Sequence, residues 1–211
     1  MSDRGLPTDR RSHWRAIYAA KAENEVSWFQ ERPAASLALI GGSGLGVSAR
    51  VVDVGGGASR LVDLLLADGW SALTVLDIAP EALAMARRRL GTVADRVQWL
   101  ATDVLRWTPP RTFDLWHDRA VFHFLVDPAD RAAYAKVMAA AVRPGGYAVI
   151  GTFAADGPER CSGLPVRRYD AAGLAAEFAM DFKPDATMSE EHRTPGGAIQ
   201  RFQFVRLRRA E

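Results

Sequence analysis

The chain has 211 residues, with 27 basic and 25 acidic side chains and a formal net charge of +2. So even a balance gives no electrostatic case for a nucleic-acid or acidic-membrane partner, and neither is expected. Its single cysteine, Cys161, excludes an intrachain disulfide and a cysteine-built zinc cage. The length suits one domain, because a single core can grow to roughly 250 residues before chains tend to divide. The opening MSDRGLPTDRRSHW has no apolar stretch of the kind a secretory leader needs. No apolar run approaches the ~20 residues of a membrane span, so a cytoplasmic protein is expected.

In chain order, residues 1–33 form an expected helical cap rich in aromatics: Trp14, Tyr18, Trp28 and Phe29. Ile17, Ala20 and Lys21 fit a turn or two of helix before the break near Pro33. Gly41 to Gly46 reads as a flexible connection. From residue 50 to the end the pattern alternates strand and helix. Arg50–Val54 (RVVDV) is a β-branched apolar run ended by three glycines, hence a buried strand. From Ser59 to Asp68, Leu61, Leu64 and Leu65 recur at helical spacing, and Gly69 stands where a helix stops.

The unit then repeats. Ala72–Leu76 is a strand, Pro80 suits a first helical position, and Glu81–Leu90 is helical before Gly91. Val97–Ala101 and Phe113–His117 are further strands, separated by a turn at Thr108-Pro109-Pro110. Asp127 caps a helix running to Val142, which Arg143-Pro144-Gly145-Gly146 breaks before strand Tyr147–Phe153. Asp170–Phe178 is helical. Strands near Ala186–Glu191 and Arg201–Leu207 have no helix between them and are expected to pair antiparallel at one edge. The fold class is α/β: a Rossmann-like, mostly parallel sheet covered by helices on both faces, with an antiparallel edge strand.

In such sheets a ligand sits beyond the carboxyl ends of the strands. The loop after the first strand is Asp53-Val54-Gly55-Gly56-Gly57-Ala58-Ser59-Arg60. Gly55 and Gly57 allow close approach of a ligand to the backbone, and the following helix aims free N–H groups at the same place. A dinucleotide loop would want a small residue where Arg60 stands, because a long side chain disturbs the helix–strand contact. Asp77, before Ile78, ends the second strand and can accept from both hydroxyls of a ribose. That is true of adenosylmethionine and of NAD alike. Asp103, before Val104, ends the third, where an adenine amino group can donate to it. The competing reading of Asp77 and Asp103 is that they only cap the helical turns that follow. Gly41 to Gly46 precedes the first strand and is not taken as a phosphate loop.

The ordered set Val51-Val52-Asp53-Val54-Gly55-Gly56-Gly57, Leu76-Asp77-Ile78, Thr102-Asp103-Val104, Phe113-Asp114-Leu115 and Arg143-Pro144-Gly145-Gly146 resembles the class I S-adenosylmethionine-dependent methyltransferases. That resemblance implies seven strands with the last inserted antiparallel, and S-adenosylmethionine as cofactor with S-adenosylhomocysteine as product. It also implies Asp53 and Gly55 near the methionine amino group, Asp77 on the ribose and Asp103 on the adenine. The family loop often carries a glycine where Ser59 stands. Trp14, Tyr18, Trp28-Phe29, Trp116-His117-Asp118-Arg119 and Gly163-Leu164-Pro165-Val166 are similar to thiopurine and thiol/halide methyltransferases. The N-terminal aromatics are also similar to small lysine methyltransferases.

These likenesses make Trp14, Tyr18, Trp28, Asp53, Gly55, Gly57, Ser59, Arg60, Asp77, Ile78, Asp103, Val104 and His117 the expected cofactor residues. His117, Asp118, Arg119 and His123, placed after the fourth strand, are the candidates to accept a proton or bind an anionic substrate. For each a structural role competes: an Asp118–Arg119 ion pair, or a buried His123 between Phe122 and Phe124. Cys161 falls in an expected substrate loop, Pro158 to Val166. Trp28 and Phe29 either fold over the cofactor or staple the first helix to the sheet. The four histidines are too dispersed for a metal cage, and no metal is expected. The expected acceptor is a small molecule, a thiol or other soft nucleophile. A protein lysine is the alternative, and a nicotinamide oxidoreductase or an inactive cofactor-binding module is the reading from another class.

Overall fold

The computed structural model describes residues 10–211. The first nine residues of the expected cap, and most of the stretch read for a leader, lie outside them. Seven strands form one sheet in the order β3-β2-β1-β4-β5-β9-β8. They are β1 (Arg50–Val54), β2 (Ala72–Asp77), β3 (Val97–Ala101), β4 (Phe113–Arg119), β5 (Val142–Phe153), β8 (Phe182–Arg193) and β9 (Ile199–Arg209). A small hairpin, β6 (Arg160–Cys161) and β7 (Leu164–Pro165), stands apart from the sheet. β1 to β5 run parallel; β9 is inserted antiparallel between β5 and β8. The strand order therefore reverses between β1 and β4, and a cleft opens there at the carboxyl ends.

Helices cover both faces. α2 (Ala34–Gly41), α3 (Leu61–Ala67) and α4 (Pro80–Leu90) pack over Val51, Leu73, Val75, Leu115, Val149 and Phe204. On the other face α5 (Pro128–Ala141) and α6 (Ala171–Ala176) pack over Val52, Trp116, Ile150 and Val205. α1 (Arg10–Ala20) lies across the cleft, with Trp14 and Tyr18 packed beside Ala58, Ala79 and Ala82.

The structure differs from the sequence reading in three instructive places. α2 was not expected: its AASLALIG stretch is apolar nearly throughout, so no periodic stripe marks it, and it is buried through Ala35, Ser36, Leu39 and Ile40. α2 also absorbs Gly41, so the glycine connection begins one residue later. α3 starts at Leu61, two residues after the expected start, because the Ser59 hydroxyl accepts the Leu61 N–H at 3.1 Å and the Ser59 N–H closes a turn onto Gly56. β4 runs two residues further, to Arg119. Asp118 and Arg119 are thus strand residues instead of loop residues, and strand alternation sends Asp118 to the face opposite His117 and Arg119.

Asp118 is held on the α5 face. It accepts the Val121 and Phe122 N–H groups at 2.8 and 3.0 Å and the hydroxyl of Tyr134, which itself accepts from Trp116 Nε1 at 2.9 Å. This buried knot fixes the turn after β4, whose Ala120 lies in the left-handed region at φ 74° and edges the cleft. Tyr134→Phe leaves the Trp116 indole N–H without its acceptor and Asp118 one donor short. The expected loss is about 1–3 kcal/mol of unfolding free energy, measurable by urea titration.

Candidate functional site

Two hollows meet at the switch point. The larger encloses about 830 Å³ of space, its open mouth included. Trp14, Tyr18, Gly55, Asp77, Ile78, Asp103, Val104, Phe124 and Cys161 are among its walls. The second lies under the glycine turn and is walled by Asp53, Gly55, Gly56, Ser59, Arg60, Phe29 and His117. Trp28, Val54, Gly55 and Arg119 border both.

The glycine turn is tight for definite reasons. Gly55 sits at φ 69°, and a Cβ there would lie 2.1 Å from Val121 Cγ2. A Cβ at Gly57 would lie 2.4 Å from Asp77 Oδ2. Asp53 is buried, with Oδ1 2.7 Å from His117 Nδ1, while Oδ2 has no hydrogen-bond partner among the described residues. His117 Nε2 in turn meets Ser36 Oγ of α2 at 2.8 Å. Both ring nitrogens of His117 are therefore engaged, and it orients Asp53.

Asp77 and Asp103 do cap, as one of the two sequence readings had it: Asp77 Oδ1 accepts the Ala79 N–H at 2.8 Å and Asp103 Oδ1 the Leu105 N–H at 2.9 Å. Each nevertheless borders the larger hollow. Burial pushes Asp77 up to about 7, with the backbone N–H of Ala79 pulling the other way. Arg60 is drawn from the turn toward Glu23, which also pairs with Arg89. Trp14 and Tyr18 meet Trp28 edge-on, at 5.7 and 6.0 Å between ring centroids. Trp28 borders both hollows, Phe29 only the second.

The four candidates for proton transfer or substrate binding separate. Arg119 and His117 border the cleft, whereas Asp118 faces the opposite side of the sheet and does not pair with Arg119. His123 is fully buried; its Nδ1 lies 3.4 Å from the Phe153 nitrogen, Phe124 and Phe153 flank the ring, and burial pushes it down to about 3. It stays neutral and borders neither hollow. Sequence reasoning missed Ser36, Ser27 and Glu190. The carbonyl of Ser27 receives His192 Nε2 at 2.7 Å. No local pattern marks these residues, because each acquires its role from a partner brought together by the sheet.

A sheet of this order, with a glycine turn and three strand-end carboxylates around one cleft, defines a nucleoside-binding α/β domain. Residues 51–146 match the family model described as a methyltransferase domain, just under half of the chain. Nodulation protein S of Rhizobium tropici is 31% identical over 107 residues, covering 51% of this chain and 44% of that protein. The chain thus spans about half the length of the curated relatives it matches. Among solved structures, the N-methyltransferase NodS from Bradyrhizobium japonicum in complex with S-adenosyl-L-homocysteine superposes with a TM-score of 0.72 at 19% identity, over 96% of this chain and all of that one. The 1,6-didemethyltoxoflavin-N1-methyltransferase of Burkholderia thailandensis gives 0.73 at 23% identity, over 100% of this chain and 93% of that one. At these identities the likeness is one of fold. Family match, strand order and glycine turn agree in making residues 51–146 similar to a methyltransferase domain.

Asp77 carries a pH signature. Its folded value of about 7 lies above the ordinary aspartate value of 3.8, so between them the folded state holds a proton that the unfolded state has released. Stability from this group is therefore full below about 4 and is lost as pH rises through 7. Wild type is expected to be less stable at pH 8 than at pH 5 by about 2–4 kcal/mol from this group. Asp77→Asn should remove most of that difference, read from urea titrations at the two pH values.

Proposed function

We propose that this chain transfers the methyl group of S-adenosylmethionine to a small molecule and leaves S-adenosylhomocysteine. The observation that carries the reading is the convergence of Asp53, Asp77 and Asp103 on two hollows joined over one glycine turn. The residues present fit the cofactor. Asp53 offers a buried, unpaired Oδ2, the complement of an ammonium group, and the turn has room only because Gly55 and Gly57 lack Cβ atoms. On this reading Asp77 takes the ribose, Asp103 the adenine, and the glycine turn with Ser59 the amino-acid end. Trp14, Tyr18 and Trp28 close over the site, where aromatic faces suit a sulfonium.

When bound, the sulfonium would supply an activated methyl group, whose carbon bonds to the acceptor's lone pair as the carbon–sulfur bond breaks in line and S-adenosylhomocysteine leaves. The chain's task is then to align the acceptor and keep water out, a contribution of roughly 7–11 kcal/mol for a well-oriented pair. His117 is committed to Asp53 and Ser36, and Asp118 and His123 lie away from the cleft. This supports an acceptor that reacts without a base from the protein, such as a thiolate or an amine already neutral. A nitrogen acceptor is the second reading, favoured by the N-methyltransferases among the structural neighbours.

Incubation with methyl-labelled cofactor and a panel of small thiols and amines tests the reading; label found only in protein would overturn it. Calorimetry gives a second check. Asp77→Ala is expected to weaken S-adenosylhomocysteine binding by about 1.5–3 kcal/mol, the scale of hydrogen bonds to a charged group. Because the ribose hydroxyls favour the ionised carboxylate, wild-type affinity should fall as pH drops below about 7. Tight NADH binding without S-adenosylhomocysteine binding would refute the proposal.

A further inference from the structure

Arg119 ends β4 with a side chain only 10% exposed, and its guanidinium borders both hollows where they join. Nη1 donates to the Trp28 carbonyl at 3.0 Å, and Cζ lies 4.3 Å from the centre of the Phe202 ring. Glu190 Oε2 stands 3.7 Å from Nη2, near enough to balance charge but beyond a hydrogen bond. Among the described residues neither Nε nor Nη2 has a hydrogen-bond partner. Burial pulls the guanidinium down to about 10, with Glu190 raising it, so it remains a cation at neutral pH. A buried cation with two idle donors is costly unless a ligand completes it.

The walls of the larger hollow indicate the ligand. Asp77 and Asp103 occupy its nucleoside end in the reading above. The rest of its wall includes Trp14, Tyr18, Phe124, Leu125 and Cys161, the last a thiol that burial pushes up and so keeps neutral, and Arg10, which Asp130 already pairs. An aromatic and apolar wall with one unsatisfied cation suits a molecule with an apolar body and an acidic group. We infer that Arg119 binds a carboxylate of the methyl acceptor, making the acceptor class an apolar or aromatic acid. The inference rests on the methyltransferase reading. The cofactor's own carboxylate is the other source of the same chemistry, but the second hollow already offers it the glycine turn, Ser59 and Gln30.

The test has two arms. In the first, wild type and Arg119→Gln are titrated calorimetrically with S-adenosylhomocysteine and with 5′-methylthioadenosine, which lacks the amino-acid end. Both ligands are expected to bind the variant within about threefold of wild type. A tenfold or greater loss for S-adenosylhomocysteine alone would assign Arg119 to the cofactor and overturn the inference. In the second arm, protein saturated with S-adenosylhomocysteine is screened by ligand-observed NMR against matched pairs: benzoate with benzamide, and phenylacetate with phenylacetamide. The acids are expected to bind wild type at least tenfold more tightly than the amides, and Arg119→Gln to abolish the preference. Arg119→Lys keeps the charge without the planar fork and serves if the Gln variant fails to fold. It is expected to lose about tenfold for acids and nothing for amides. Acids and amides binding alike, acid binding that survives Arg119→Gln, or no acid binding would each overturn the inference. Failure of wild type to bind S-adenosylhomocysteine would instead remove the methyltransferase reading, and the inference with it.

Discussion

A carboxylate buried at the end of a strand has two oxygens and little water with which to satisfy them, and the site is organised around that constraint. Asp53 lies opposite His117 in the register of β1 and β4, and the imidazole takes one of its oxygens. The imidazole's other nitrogen is held by Ser36, so α2, the strand pair and the carboxylate form one chain of contacts. The second Asp53 oxygen remains open toward the hollow under the glycine turn. An incomplete buried polar group is costly in the free protein and becomes an asset when a complementary ligand arrives.

The same economy recurs along the edge of the sheet. Asp77 and Asp103 each give one oxygen to a backbone N–H of the next turn while bordering the cleft. Capping and a place on the cleft wall are thus combined in the same side chains, so the capping reading does not exclude the ligand-facing one. Asp118 shows the opposite arrangement. It spends its oxygens on Val121, Phe122 and Tyr134, and it fixes the turn that carries Ala120 and Val121 to the cleft wall.

Strand alternation explains how neighbouring residues acquired such different roles. With β4 ended at His117, residues 118 and 119 read as a loop, free to face the same ligand. The strand in fact continues, so His117 and Arg119 share one face and Asp118 takes the other. Two more residues of pairing with β5, Asp118 to Ile150 and Arg119 to Gly151, decide this, and pairing with a distant strand leaves no local trace. His123, set among Phe122, Phe124 and Phe153, proved a packed neutral ring for a related reason: only the arrival of Phe153 from β5 closes its surroundings.

Local patterning did not suffice for α2 or the β6–β7 hairpin, but it did for the order of the seven sheet strands and of the helices from α3 onward, the glycine turn, the acidic closures of β1 to β3 and the Trp14–Tyr18–Trp28 aromatic group. Each of these is written in local periodicity or in residue types that a turn requires. Tertiary structure alone decided which side chains share a surface. Ser36 meets His117 across 81 residues of chain, and Arg119 meets the Trp28 carbonyl across 91. Glu190 on β8 meets Arg119 on β4 although β5 and β9 lie between those strands in the sheet. Contacts of that range depend on how the sheet assembles, and so do the burial and idle donors that make Arg119 the centre of the site's remaining chemistry.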